Sequence, residues 1–142
     1  MDTPVIKPLK KKGHFYQLKE DYVLEFEMAG KLFKIEISKG FTFDGASIPG
    51  FFWGFPLMLS PAHPRIVAAS VIHDMFYETK GLVNSSAYGG LWVFSAGRWY
   101  PYPKRVSKKH ADELFFAINE KMGMDIFRRY VTYYAVRLFG RY

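Results

Sequence analysis

The chain contains no cysteine. Disulfides, thiolate zinc sites and thiol nucleophiles are therefore excluded, and the fold must rest on packing and polar contacts alone. No apolar run reaches the ~18 residues of a membrane-spanning helix. The most apolar stretch, FFWGFPLML, is broken by Gly54 and Pro56. There is no phosphate-cradling glycine loop and no zinc-ligand spacing. Acidic side chains are the scarcer sign, 13 against 20 Lys and Arg, for a net charge of +7. Anionic partners are thus attracted at long range, whether an anionic surface (lipid or nucleic acid) or an acidic protein. The N-terminal MDTPVIKPLKKKG has a lysine run with no apolar stretch behind it, so it is not expected to act as a signal peptide.

What the chain does have is rings. Aromatic residues make up 19% of its 142 residues, with 14 Phe and 10 Tyr. Such side chains fill a small core efficiently, and any left outside mark a contact surface. The length suits one domain. Residues 1–13, with two prolines and Lys10, Lys11 and Lys12, read as a flexible basic arm. Residues 14–142 read as a single α+β domain.

Period-two alternation begins at Tyr22. Tyr22, Leu24, Phe26 and Met28 share one face, and after Ala29-Gly30 so do Phe33, Ile35 and Ile37. Two such runs around a short Gly-containing turn predict a β-hairpin, with Phe15 to Leu18 as a candidate strand before it. The loop FDGASIPG follows, where Asp44-Gly45 is a turn dipeptide and Pro49 holds Ile48 out of the helical region. The FFWGFPLML stretch beyond it reads as a core-lining loop or an exposed aromatic surface. A helix is predicted from about Pro64, capped near Ser60 or His63, to about Glu78. It is apolar nearly all round and so expected to be central.

Residues 82–103, rich in glycine and aromatics, predict an irregular hairpin or lid with strands at Leu91–Phe94 and Arg98–Tyr100. A second helix is expected over Lys108–Met122 between Ser107 and Gly123. A third starts at Asp125 and runs to about Phe139, with Phe127, Tyr130, Val131, Tyr134 and Leu138 as its apolar stripe. The predicted architecture is a β-hairpin or meander followed by three helices, with the aromatic hairpin inserted between the first two.

Reactive side chains concentrate between Asp44 and Tyr77, with Asp112 joining from the second helix. His73 and Asp74 are adjacent on a helix and diverge by about a hundred degrees, so each must find its own partner. His73 and Tyr77, four apart, share a face. A carboxylate such as Asp112 on one ring nitrogen of His73 would fix its tautomer and leave the other nitrogen as a general base. Asp44 and Asp74, with loop carbonyls, could hold a hard divalent cation, calcium rather than zinc, which would stabilise an oxyanion. Ser47 lacks the nucleophile-elbow context. The competing reading is structural: a His-Asp-Tyr set pinning helices together through satisfied hydrogen bonds. Outside this set, Tyr100, Tyr102, Lys104, Arg105, Lys108 and Lys109 interleave rings with cations, as a nucleic-acid, lipid or protein contact would.

FDGASIP, AASVIHDMFY, HADELFFAI and the terminal YYAVRLFG together resemble a family of small proteins from tailed phages and prophages. Its motifs are a T-D-G-A-S-I-P loop, an H-D-x-x-Y helix and an A-D-x-x-F helix, and it has no settled biochemical function. The resemblance covers roughly residues 40–80 and 105–140. Phe43 stands where the pattern prefers Thr, and the stretch 82–103 is longer. Gly45, Ser47 and Pro49 fall within the loop motif. The resemblance implies other phage proteins as partners, and the host cytoplasm during assembly or the virion as the setting. H-D-x-x-Y followed by A-D is also similar to the catalytic helices of secretory and viral-capsid phospholipases. That similarity implies His73 as base, Asp74 as a calcium ligand, Asp112 as the orienting acid and Tyr77 as a buttress. FDGASIPG differs from the calcium loop of those enzymes. Two functions follow as expectations: a metal-assisted hydrolase, or a non-enzymatic tail, connector, baseplate or assembly component whose polar cluster is structural.

Overall fold

The computed structural model describes residues 3–11, 14–44, 48, 49, 52, 54, 57, 60 and 62–142, with only the backbone of residues 10, 11, 14 and 15. Strands β1 (Ile6–Lys11), β2 (His14–Leu18) and β5 (Thr42–Phe43) form one antiparallel sheet in the order β1-β2-β5. Strands β3 (Tyr22–Met28), β4 (Lys31–Ile37), β6 (Gly89–Ser95) and β7 (Arg98–Pro101) form a second, in the order β3-β4-β6-β7. Helices α1 (Val67–Glu78), α2 (Lys108–Lys121) and α3 (Ile126–Phe139) complete the α+β fold, strands mostly first and helices mostly last.

The central hairpin has the expected pattern. Tyr22, Leu24 and Phe26 on β3 and Phe33, Ile35 and Ile37 on β4 are buried, and Val23, Glu25 and Glu27 face out. Its turn is the two-residue Ala29-Gly30, with φ of 53° and 76°. Positive φ at both positions matches the turn's twist to that of the flanking strands. The β6–β7 hairpin repeats the device with Ala96-Gly97 at 50° and 78°. That hairpin is not a separate lid. β6 pairs with β4, Ile35 opposite Leu91, and so extends the sheet.

The arm expected over residues 1–13 is, over Ile6–Lys11, a strand. Ile6 lies opposite Leu18 and Pro8 opposite Tyr16, Pro4 is buried, and the Lys19 amide donates to Val5 at 2.8 Å. Pro8 is admissible because β1 is an edge strand, where a missing donor faces no partner. Periodicity gave no warning, since the strand is short and half of its residues are lysine.

Helix α1 is buried from Val67 to Tyr77. It starts three residues later than Pro64. The His63 carbonyl accepts from the Ile66 and Val67 amides and His63 Nδ1 from the Arg65 amide, so residues 64–66 form a turn instead. At the other end Lys80 and Gly81 take positive φ and the Gly81 amide returns to the Phe76 carbonyl at 2.8 Å, an αL termination. A Cβ on Gly81 would run into the Val106 backbone. This close crossing, with the Val106 amide on the Gly81 carbonyl, seats the start of α2 against the end of α1. Ser107 caps α2 by accepting from the His110 amide, and Asp125 caps α3 by accepting from the Arg128 amide.

One helix faces differently than its apolar stripe suggests. On α3 the buried residues are Thr132, Ala135 and Val136. Phe127, Tyr130, Tyr134 and Leu138 are exposed, Leu138 at 76%, and Val131 is half-buried. Of the 51–59 stretch, Leu57 is buried and Phe52 half-buried; its other residues, apart from Gly54, lie outside the described set.

Gly81→Ala is expected to destabilise the fold by roughly 2–4 kcal/mol, from positive φ plus the clash with Val106. Urea unfolding checks this, with Gly97→Ala, where a Cβ meets open space, expected to cost only about 1 kcal/mol of backbone strain.

Candidate functional site

The end-to-start contact of α1 with α2 brings Asp112, one turn into α2, over the last two turns of α1. The Asp112 carboxylate is 0% exposed. Its Oδ1 accepts from His73 Nε2 at 2.7 Å and from the Tyr77 hydroxyl at 2.5 Å. Its Oδ2 accepts from Lys108 Nζ and from Arg137 Nη1, both at 2.9 Å. Four donors from three helices thus converge on one carboxylate. Lys108 also donates to the carbonyls of Val136 and Arg137, at 3.1 and 3.2 Å. These are carbonyls of the last turn of α3, the negative end of its dipole, which attracts a cation; the Val136 carbonyl also accepts from the Gly140 amide at 2.9 Å. Burial pushes the Asp112 carboxyl up, but hydrogen bonds from His73, Tyr77 and Lys108 outweigh it and hold its pKa at about 2.

Burial pushes the His73 pKa below its ordinary value, against the opposing pull of Asp112. The ring is therefore neutral at pH 7. With an ionised carboxylate on Nε2, that nitrogen carries the proton and Nδ1 presents a lone pair. His73 Nδ1 is buried with no hydrogen-bond partner among the described residues. Burial and the Asp112 contact both raise the Tyr77 phenol, which stays protonated as a donor. Tyr77 packs edge-on against Tyr142 at 5.2 Å, and a Cβ on Gly140 would strike the Tyr77 ring. The chain past α3 closes over the cluster because residue 140 is glycine.

His73, Tyr77 and Asp112 thus come together as the sequence suggests. Asp74 points elsewhere: its Oδ2 accepts from the Asp44 amide at 2.9 Å, tying the start of the FDGASIPG loop to α1. Asp44 itself is exposed. Among the described residues no three His, Asp or Glu side chains are grouped to share an ion. Gly45 and Ser47 lie outside the described residues. Pro49 is half-buried, its carbonyl accepting from the Phe52 amide at 3.0 Å.

The six residues of the ring-and-cation cluster are not equivalent. Tyr100, Lys104 and Lys109 are exposed, Tyr102 packs edge-on to Phe33 at 5.2 Å, and Arg105 spans the Lys80 carbonyl and the Tyr142 ring. Lys108 turns inward to Asp112. Its position was a signal: a lysine in the first turn of a helix opposes the dipole, so its charge is used elsewhere, and Asp112 lies four residues on. Arg137, one of four arginines along α3 and the tail, carried no such mark.

The cluster defines a class before it defines a function: a small α+β domain whose three helices meet on a buried, ionised aspartate. The chain belongs to a family described as a protein of unknown function (DUF1353), whose model matches residues 16–136. That match takes in His73, Asp74, Tyr77 and Asp112. No curated protein and no solved structure matched the chain.

A lowered pKa means that below the ordinary histidine range the unfolded chain binds a proton that folded His73 does not. Stability due to this group is fully present above about pH 6.5 and falls as pH drops below it. Urea unfolding at pH 7.5 and 5.0 should show the wild type weakening, and His73→Gln should flatten that slope. An unchanged slope in the variant would assign the titration to another group.

Proposed function

We propose that the chain is a non-enzymatic docking component of a multi-protein assembly, in which the Asp112 cluster braces three helices and α3 presents the contact surface. The observation that carries this reading is the outward apolar face of α3. Ile126, Phe127, Tyr130, Tyr134, Leu138 and Phe139 are all exposed. With Phe52, Val131 and Ala135 they line a groove of about 660 Å³. A ring-rich exposed patch of this kind is the ordinary signature of a protein contact.

The occupant best suited to it is an amphipathic helix of another protein, its apolar stripe in the groove and acidic residues on its flank. Residues 126–142 contain four arginines and no acid. Arg128 and Arg129 are matched by Asp125 and Glu120, but Lys108 and Arg137 together exceed the one charge of Asp112, and Arg141 is exposed. The C-terminal end of the groove is therefore cationic. A second copy would bring together two chains of +7 each. A concave groove also suits a helix ridge better than a flat bilayer. A phage or prophage particle as the assembly, and the host cytoplasm or virion as its setting, rest on the motif resemblance.

A second reading is favoured by one observation, the unpaired Nδ1 of His73. Held by Asp112 on Nε2, His73 could take a proton from water at Nδ1 as a hydrolytic base, with Asp112 stabilising the imidazolium. In that reading Asp44 and Asp74 are the candidate ligands of a calcium ion. Against it stands the complete burial of both the His73 and Asp112 side chains.

The test is an NMR titration of labelled protein with a synthetic amphipathic peptide bearing leucines on one face and glutamates beside them. Shifts should map to α3, weaken with added salt, and lose about tenfold or more in affinity in Leu138→Asp with its melting unchanged. Self-association through α3, or binding to anionic vesicles in place of the peptide, would overturn the stated partner. Ester hydrolysis that disappears in His73→Gln, or calcium binding lost in Asp74→Asn, would favour the second reading.

A further inference from the structure

Helices α1 and α2 run antiparallel. Tyr77 lies beside Lys108, with the ammonium 5.7 Å from the ring centre. Both Tyr77 and His73 reach Asp112, and the His73 ring meets Phe115 at 4.9 Å. One turn further toward the start of α1 and the end of α2, the same register sets Ser70 opposite Ile118 and Asn119. Ser70, His73 and Asn119 are buried, at 0%, 1% and 0% exposure. Their Ser70 Oγ, His73 Nδ1, Asn119 Oδ1 and Asn119 Nδ2 atoms all lack hydrogen-bond partners among the described residues.

On this helical register the four unpaired polar atoms face one seam. Buried polar groups are almost always satisfied, by protein or by ordered water, and an orphan donor or acceptor costs more than a formed hydrogen bond returns. The chemistry of the four atoms restricts what satisfies them. His73 Nδ1 and Asn119 Oδ1 accept, Asn119 Nδ2 donates, and the Ser70 hydroxyl does either. All are neutral, and two cations, Lys108 and Arg137, sit on the far side of Asp112. A metal ion would find no carboxylate among these four atoms and could not use the amide N–H. An anion would face the His73 lone pair.

We infer that the seam between α1 and α2 holds internal water, donating to His73 Nδ1 and bonded to Ser70 and the Asn119 amide. A water with about three polar partners is the usual form of buried hydration. It extends the Asp112 network by one link, so that Asn119 acts on His73 through water as a positioning residue. The inference stands apart from docking at α3. It does not require that His73 perform chemistry.

Two measurements on the wild-type protein test it. Water-to-protein cross-relaxation should show long-lived water beside the His73 and Asn119 side-chain protons. Nitrogen shifts of the His73 ring should report protonated Nε2 and a hydrogen-bonded, unprotonated Nδ1. In Asn119→Leu the water signal should vanish and the Nδ1 shift move toward that of an unbonded acceptor. Ser70→Ala, the milder change, should retain the signal at His73. A wild-type seam with no water signal, or an Asn119 amide bonded directly to His73 Nδ1, would overturn the inference.

Discussion

A single ionised carboxylate, Asp112, is the constraint on which the helical half of the molecule depends. An isolated buried charge is among the most unfavourable things a fold can contain. It persists here because donors from α1, α2 and α3 arrive together. Each helix therefore has its angle and depth set by the same two oxygen atoms. Lys108 adds a second demand, since its ammonium also answers the terminal carbonyls of α3. The N-terminus of α2 and the C-terminus of α3 are tied by one side chain that serves both an acid and a helix end. Hydrophobic burial supplies most of the driving force, as in any domain of this size, but it is non-directional. The carboxylate supplies direction.

Local features prepare that meeting point. Gly81 lets the chain leave α1 and cross Val106 closely enough to start α2 at the right place, and Gly140 lets the tail pass over Tyr77. On the sheet side, β5 runs directly into Asp44, whose amide binds Asp74. The adjacent pair His73-Asp74 thus divides its labour. One residue looks to α2, the other to the loop before α1, and their angular separation on the helix makes that division unavoidable.

Much of this was legible from residue order. The β3–β4 hairpin follows from strict alternation, the cap of α2 from Ser107, the start of α3 from Asp125, and the meeting of His73, Tyr77 and Asp112 from helical spacing joined to a motif resemblance. Three things were not legible, each for a physical reason. β1 is an edge strand whose short apolar face is interrupted by lysines, so it looks like a tail. β6 and β7 were visible as strands, but their attachment to β4 is a long-range pairing that no local pattern encodes. The stripe on α3 was visible and its direction was not: periodicity says that a helix has an apolar face, not that the face is covered. Thr132, Ala135 and Val136, smaller and less conspicuous, are what α3 turns inward. That inversion carries the functional reading, because large rings left outside a folded domain need another explanation than its core.

The measurement that reaches the central claim most directly is the stability of Asp112→Asn by urea unfolding at pH 7. Removing the charge leaves Lys108 and Arg137 without their counter-ion and His73 and Tyr77 with a poorer acceptor. The account predicts a loss of about 3–5 kcal/mol, the range for breaking a buried ion pair from one side. A loss below about 0.5 kcal/mol, the level of an ordinary surface substitution, would contradict it and show that the three helices hold together without the carboxylate.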